Sequence, residues 1–239
     1  MAHFYLNELL EAGTSARLEG PEARHAVTVS RLAVGERVSI GNGRGLIVSG
    51  PITLATPTLL EIEVERTTEA VRASPAIVLA QALAKGDRDE LAIQAATELG
   101  VDAVIPWQAA RSISRWEGSK VAKGLDRWTA VVREATKQSI RAWIPDVLDL
   151  ATTKQLARLA AETRMLVLEP TATQSLADVT LDARDLVLVV GPEGGVSPAE
   201  LAALTEAGAT TVSLGDNVLR TSTAGPAAIA VLNARLARW

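Results

Sequence analysis

The chain has 239 residues, 48% hydrophobic and 22% charged, with a formal net charge of −4 at pH 7. That is an ordinary composition for a folded protein, and enough chain for one large domain or two small ones. Cysteine is absent and only His3 and His25 offer imidazole, which excludes disulfides, cysteine nucleophiles and thiolate or histidine-rich metal sites, so no metal is expected.

The N-terminal "MAHFYLNELLEAG" lacks the basic start and long apolar stretch of a secretory signal. No uninterrupted apolar run is long enough for a membrane span. The cytoplasm is the expected compartment. From Met1 to about Arg72 the apolar segments are short and punctuated by turns. "ERVSIGNGRGLIVSG" alternates on both sides of "GNGRG", which predicts two strands joined by a tight glycine turn. A nucleotide loop is disfavoured there because no helix follows. "TLLEIEVERT" alternates again, placing Leu60, Ile62 and Val64 on one face. The expected first domain, 1–72, is small and mostly β.

Beyond "TTEAVRASPA" the texture changes. Runs apolar on both faces, "AIVLAQAL", "DAVIPW", "RMLVLEP", "DLVLVVGP" and "TTVSLG", alternate with helix-like stretches. Such runs predict parallel strands covered by helices on both sides of the sheet, so an α/β domain is expected over 73–239. "DRDELAIQAATELG" offers Asp87 and Glu90 as a capping box and Gly100 as a stop. "SPAELAALTEAG" predicts a helix capped by Ser197, with Pro198 first, Glu200 reaching back and Gly208 ending it.

Between that last helix and the strand "DLVLVV" lies "GPEGG", at the carboxyl end of a strand, where open α/β sheets bind ligands. Glycines there let a ligand approach the backbone, although a plain strand-to-helix turn also uses them. The phosphate-loop spacing G-x-x-x-x-G-K-[ST] is missing, and Glu193 would repel phosphates. A neutral or cationic adenosine ligand fits better than ATP or NAD. "LGDNVLRT" forms a similar loop after "TTVS", and Leu168 with Glu169 ends a third strand. Three neighbouring edges would make a pocket.

These residues resemble a known family. "GPEGGVSPAEL" followed by "LGDNVLRTSTA" is similar to the paired signature of the SPOUT methyltransferases, specifically the ribosomal RNA small subunit methyltransferase E family. His25, Val29, Arg31 and Gly35 in "RHAVTVSRLAVG" agree with its PUA-like β-barrel. "QALAKGDRDELAIQAATELGV" and "KGLDRWTAVVREATKQSIRAWIPDV" agree with its centre. The resemblance implies a C-terminal trefoil knot, a homodimer, S-adenosylmethionine as methyl donor and N3 of a uridine in 16S rRNA of the small ribosomal subunit as target. The donor site would comprise Leu168, Glu169, Gly191, Pro192, Glu193, Gly194, Gly195, Leu214, Gly215, Val218, Leu219, Arg220 and Thr221. Two positions depart from the family: Ser222 replaces a glutamate, and Ala95 stands where lysine is expected.

Between Arg111 and Arg141 the acidic chain turns strongly basic. Arg111, Arg115, Lys120, Lys123, Arg127, Arg133, Lys137 and Arg141 are opposed only by Glu117, Asp126 and Glu134. Trp107, Trp116, Trp128 and Trp143 are interleaved, though Trp128 and Trp143 are expected to pack inward. Basic residues neutralise phosphates and aromatic faces stack bases, which makes this a candidate RNA surface. The candidate RNA-contacting set is His25, Arg31, Lys85, Arg88, Arg111, Arg115, Lys123, Arg127, Arg133, Lys137, Gln138 and Arg141. Arg220 is the candidate cation for a developing uracil anion; Glu193 or Glu169 is a weaker candidate base. The rival readings are methylation of another RNA, such as a tRNA ribose or base, and a non-catalytic rRNA-binding assembly factor.

Overall fold

Alternating apolar residues build the first sheet. In the computed structural model, which describes residues 3–239, the strands are β1 (His3–Leu6), β2 (Ser15–Glu19), β3 (Arg37–Gly41), β4 (Leu46–Ala55), β5 (Leu59–Glu63) and β6 (Arg66–Glu69). A short helix α1 (Gly20–Arg24) runs on into a π-helical turn, His25–Val29. The sheet order is β1-β3-β4-β5-β2, with β6 also on β4. β3 and β4 pair antiparallel across the glycine turn, as their alternation predicts. Val38, Ile40, Val48, Ile52, Leu60 and Ile62 point into one apolar core. Val64 lies just past β5 and is half-buried.

The chain divides into two units: Met1–Arg72 with Thr136–Ile144, and Ala73–Ala135 with Pro145–Trp239. The segment 136–144 joins the first unit because it satisfies the free edge of the glycine turn. Ile144 N–H donates to the Gly43 carbonyl, and Gly45 N–H donates to Ala142. The Trp143 indole N–H donates to the Ala70 carbonyl at 2.8 Å, and the Arg72 guanidinium lies 4.7 Å from the Trp143 ring centre. Gly45 has φ +102°, and a Cβ there would stand 2.7 Å from the Ala70 carbonyl oxygen and 2.8 Å from the Trp143 ring. No other residue type fits.

The second unit is an α/β sheet. Its elements are β7 (Ile77–Ala82), α2 (Arg88–Glu98), β8 (Ala103–Trp107), α3 (Ser119–Gln138), β9 (Asp146–Val147), α4 (Thr153–Ala160), β10 (Arg164–Leu168), β11 (Leu186–Val190), α5 (Pro198–Glu206), β12 (Thr210–Val212) and α6 (Thr221–Arg235). The last residues of α3 fall in the first unit. All neighbouring strands are parallel, in the order β12-β10-β11-β7-β8-β9. β8 and β11 are buried at every position, which is why their sequences are apolar on both faces. Ala80, Ala82, Val187 and Val189 pack against Leu156, Ala160 and Leu204 of α4 and α5. On the other face Leu79 meets α6 so closely that a Cβ on Gly225 would be 3.0 Å from it.

The strand order positions the site. The chain steps outward from β7 to β8 and β9, then returns to β10, with β11 inserted between β10 and β7. Such a reversal leaves a crevice at the carboxyl ends of the strands. The helix ends fall as expected at α5, where Ser197 and Glu200 form a capping box and Gly208 has φ +107°. At α2 the expected box does not form. Asp87 makes no side-chain cap, and Asp89 instead takes the Ala84 and Glu90 N–H groups. Among the described residues, no helix is long and apolar enough to cross a membrane.

Candidate functional site

A cavity of about 340 Å³ opens at the carboxyl ends of β10, β11 and β12. Leu168 and Glu169 border it from β10. Gly191, Pro192, Glu193 and Gly195 border it from the glycine loop after β11. The loop leading into α6 contributes Leu214, Gly215, Val218, Leu219, Arg220 and Thr221. The residues predicted for the donor site therefore come together, except one. Gly194 faces the other way, its carbonyl accepting a hydrogen bond from Arg111 Nη1 at 3.0 Å. Gly195 (φ +72°) and Gly215 (φ +92°) hold left-handed turns that favour glycine. The apolar wall also includes Val190, Val196 and Val212, which local patterns mark only as core.

Charge in the cavity is largely balanced. The Glu193 carboxylate accepts from Arg88 Nη1 at 3.0 Å and from the Lys85 N–H at 3.2 Å. Arg88, expected at an RNA surface, thus lines the cavity and neutralises the glutamate. Glu169 accepts the N–H and hydroxyl of Thr171, at 3.3 and 3.0 Å, and so folds onto its own loop. Among the described residues, the Arg220 side chain has no hydrogen-bond or ion-pair partner. It stands at the rim as the residue before α6.

Behind the glycine loop lies a polar anchor. Glu200, only 7% exposed, accepts from the Ala110 N–H and Thr153 hydroxyl, both at 2.8 Å, and from the Ser197 hydroxyl at 2.7 Å. Burial would raise its carboxyl, but the hydrogen bonds from Ser197, Ala110 and Thr153 outweigh this and hold it below its ordinary value. The Trp107 indole donates in turn to Thr153 at 3.2 Å. Three segments are thereby tied together, and α5 begins where it must to shape the loop.

An RNA methyltransferase domain profile matches residues 72–233, and an RNA methyltransferase PUA domain profile matches residues 18–65. The ribosomal RNA small subunit methyltransferase E of Mycobacterium bovis is 43% identical, covering 99% of this chain and 92% of that protein. The chain belongs to the ribosomal RNA small subunit methyltransferase E family. Its Bacillus subtilis member is 32% identical over 90% of this chain and 88% of its own length. The Neisseria gonorrhoeae member, solved bound to S-adenosyl methionine, superimposes with a TM-score of 0.87 at 28% identity, covering 98% of each chain.

In this family member the predicted RNA-contacting residues fall into different settings. In the second unit Lys85, Arg111, Arg115, Lys123 and Arg127 are exposed. Arg127 pairs with Glu90, and Arg115 reaches the Ala110 carbonyl at 3.3 Å. Arg133 is half-buried and lies 3.5 Å from Glu134. In the first unit His25, Arg31 and Gln138 are exposed, with the His25 ring edge-on to Tyr5. Arg141 is half-buried, and Lys137 forms a 3.1 Å ion pair with Glu22 that is mostly shielded from water. Trp107 and Trp128 are buried, so they serve the core rather than base stacking. Trp116 is half-buried against Trp128, with ring centres 5.5 Å apart.

Asp89, beside Arg88 and 4% exposed, gives the family member a pH-sensitive spot. Burial pushes its carboxyl up to about 6, against the pull of the Ala84 and Glu90 N–H groups. Its folded value lies above the unfolded one, so its contribution is full at low pH and is lost as pH rises through about 6. Urea unfolding at pH 4.5 and 7.5 is expected to show wild type losing roughly 2 kcal/mol relative to Asp89→Asn. A pH-independent difference would contradict this.

Proposed function

We propose that the protein is an S-adenosylmethionine-dependent methyltransferase acting on N3 of a uridine in 16S rRNA of the small ribosomal subunit, as a homodimer in the cytoplasm. The carrying observation is that both signature loops and the end of β10 close on one cavity. The residues fit the donor. An apolar wall with exposed main chain suits a nucleoside, and the Glu193 carboxylate, paired with Arg88, sets an anion on the lining that suits a sulfonium better than a phosphate. When bound, the donor supplies a methyl group on a positively charged sulfur.

The chain's own groups then do the positioning. The cavity holds one face of the reaction, so the nucleophile must approach in line from its open side. N3 of uracil has to lose its proton first, to solvent at the cavity's open side, and Arg220, whose side chain has no partner among the described residues, is assigned to stabilise the resulting anion. Glu193 and Glu169 are assigned to holding loops, because both carboxylates are already engaged.

Two finer features belong to this reading. A PUA-like barrel in the first unit is supported by the Asn7 side-chain amide, which donates to the Arg17 carbonyl and so links the segment after β1 to β2. The trefoil knot is supported by the route of the C-terminus. The Ser213 N–H donates to Gln174, Leu176 N–H donates to Ser213, and Arg235 of α6 donates to the Leu176 carbonyl. RNA would be met by the exposed basic residues of each unit and by His25 and Arg31, with the 1–72 region as RNA-binding module and 73–239 as catalytic domain.

Calorimetry with S-adenosylmethionine, followed by mass mapping of nucleosides from small subunits incubated with enzyme and donor, tests the proposal. Donor binding and one new 3-methyluridine are expected. Donor binding with a different modified nucleoside would move the enzyme to another target, and absence of donor binding would leave an assembly factor.

A further inference from the structure

Gln81 sits on β7 opposite Val190 of β11, in the middle of an apolar sheet, and is 0% exposed. A buried amide there is costly unless it is hydrogen-bonded, and a leucine would pack more cheaply. Its Nε2 donates to the Thr221 hydroxyl at 2.8 Å and to the Ala82 carbonyl at 3.3 Å. Thr221, the first residue of α6, is itself buried and donates its hydroxyl to the Gly191 carbonyl at 2.9 Å. The chain of bonds has a fixed direction. A hydroxyl has one proton, and the amide donor on its oxygen leaves that proton to point at Gly191.

The end of this chain of bonds lies in the cavity wall. Gly191 and Thr221 both line it, one from each of the loops that enclose it. The peptide between Gly191 and Pro192 has a single polar handle, the Gly191 carbonyl, because proline has no N–H. Gly191 also has no side chain to resist rotation. A Cβ there would come within 2.9 Å of Val196 Cγ2, so bulk cannot replace the missing restraint. The carbonyl's orientation therefore depends on the Thr221 hydroxyl.

We propose that Gln81 is a positioning residue for the donor site. Through Thr221 it fixes the Gly191–Pro192 peptide and locks the two enclosing loops in register, without itself touching the donor. This rests on the cavity being the S-adenosylmethionine site. Neither local periodicity nor the signature loops point to Gln81, whose side chain, among the described residues, finds its partner outside its own strand 140 residues away.

The test is donor affinity by calorimetry with S-adenosylmethionine, alongside steady-state KM for donor and for RNA. Gln81→Leu and Thr221→Val are each expected to weaken donor binding by about tenfold, the worth of one hydrogen bond, with the RNA KM within about twofold of wild type. The double variant is expected to be no worse than the weaker single variant, because the bonds act in series. Thr221→Ser, which keeps the hydroxyl, is expected to recover most of the loss seen in Thr221→Val. Wild-type donor affinity in folded Gln81→Leu and Thr221→Val overturns the proposal, as does Thr221→Ser being as weak as Thr221→Val. If Gln81→Leu does not fold, Gln81→Met, which has nearly the length of glutamine and no amide, gives the same reading. If wild-type protein itself binds no S-adenosylmethionine, the donor-site reading fails first.

Discussion

Arg220→Ala is expected to lower kcat by about 10²–10³-fold at saturating donor and RNA, while donor affinity stays within about threefold of wild type. The reasoning is electrostatic. Arg88 is committed to Glu193 and Arg111 to the Gly194 carbonyl, whereas Arg220 borders the cavity and its side chain has no partner among the described residues. A cation at the exposed rim stabilises charge that develops only as N3 loses its proton, so its loss falls on the chemical step. Arg220→Lys keeps the charge without the planar fork and is expected to retain part of the rate. Near-normal turnover of Arg220→Ala under these conditions would remove the residue from the chemistry and leave it as the residue that leads into α6.

Much of this architecture is legible because it is written in local patterns. The glycine turn at 41–45 and the alternation around it specify a hairpin. Runs apolar on both faces specify covered parallel strands, and the Ser197, Pro198, Glu200, Gly208 series specifies both ends of one helix. The glycine loop before α5 is legible as a loop for a similar reason, but a plain strand-to-helix turn uses glycines too, and what sets it apart is the cavity it shares with the loop into α6. Pairings between distant segments are not written this way. Nothing near residues 136–144 signals that they complete the edge of a turn at 43–45. Nothing near Arg88 signals Glu193, so a positive residue in a polar loop reads as surface until the fold supplies its partner. Asp87 has the capping-box spacing to Glu90, and the local pattern offers no other cap at the start of α2. Only the fold shows that Asp87 makes no cap and that Asp89, inside the helix, is buried against the Ala84 N–H. Charge runs mislead for the same reason, since Lys137 spends its charge on Glu22 rather than on solvent.

Glu200 is where such a distant pairing should have the largest effect on stability. Glu200→Ala strands the Ala110 N–H, the Thr153 hydroxyl and the Ser197 cap together, so the second unit is expected to lose roughly 3 kcal/mol. For a chain of this size that corresponds to a transition about 6–12 °C lower. Glu200→Gln keeps the shape but can accept at only one oxygen, so it should fall between wild type and Glu200→Ala. Thr153→Val combined with Glu200→Ala should cost less than the sum of the two, because each removes the same bond. The charge makes a further demand. The folded carboxyl titrates below its ordinary value, so its stabilisation is present above about pH 4.5 and is lost as pH falls through the depressed folded value. The gap between wild type and Glu200→Gln should therefore narrow on acidification. If instead Glu200→Ala melts within a degree of wild type, Ser197 and Pro198 alone suffice to start α5, and the glycine loop does not depend on its buried anchor.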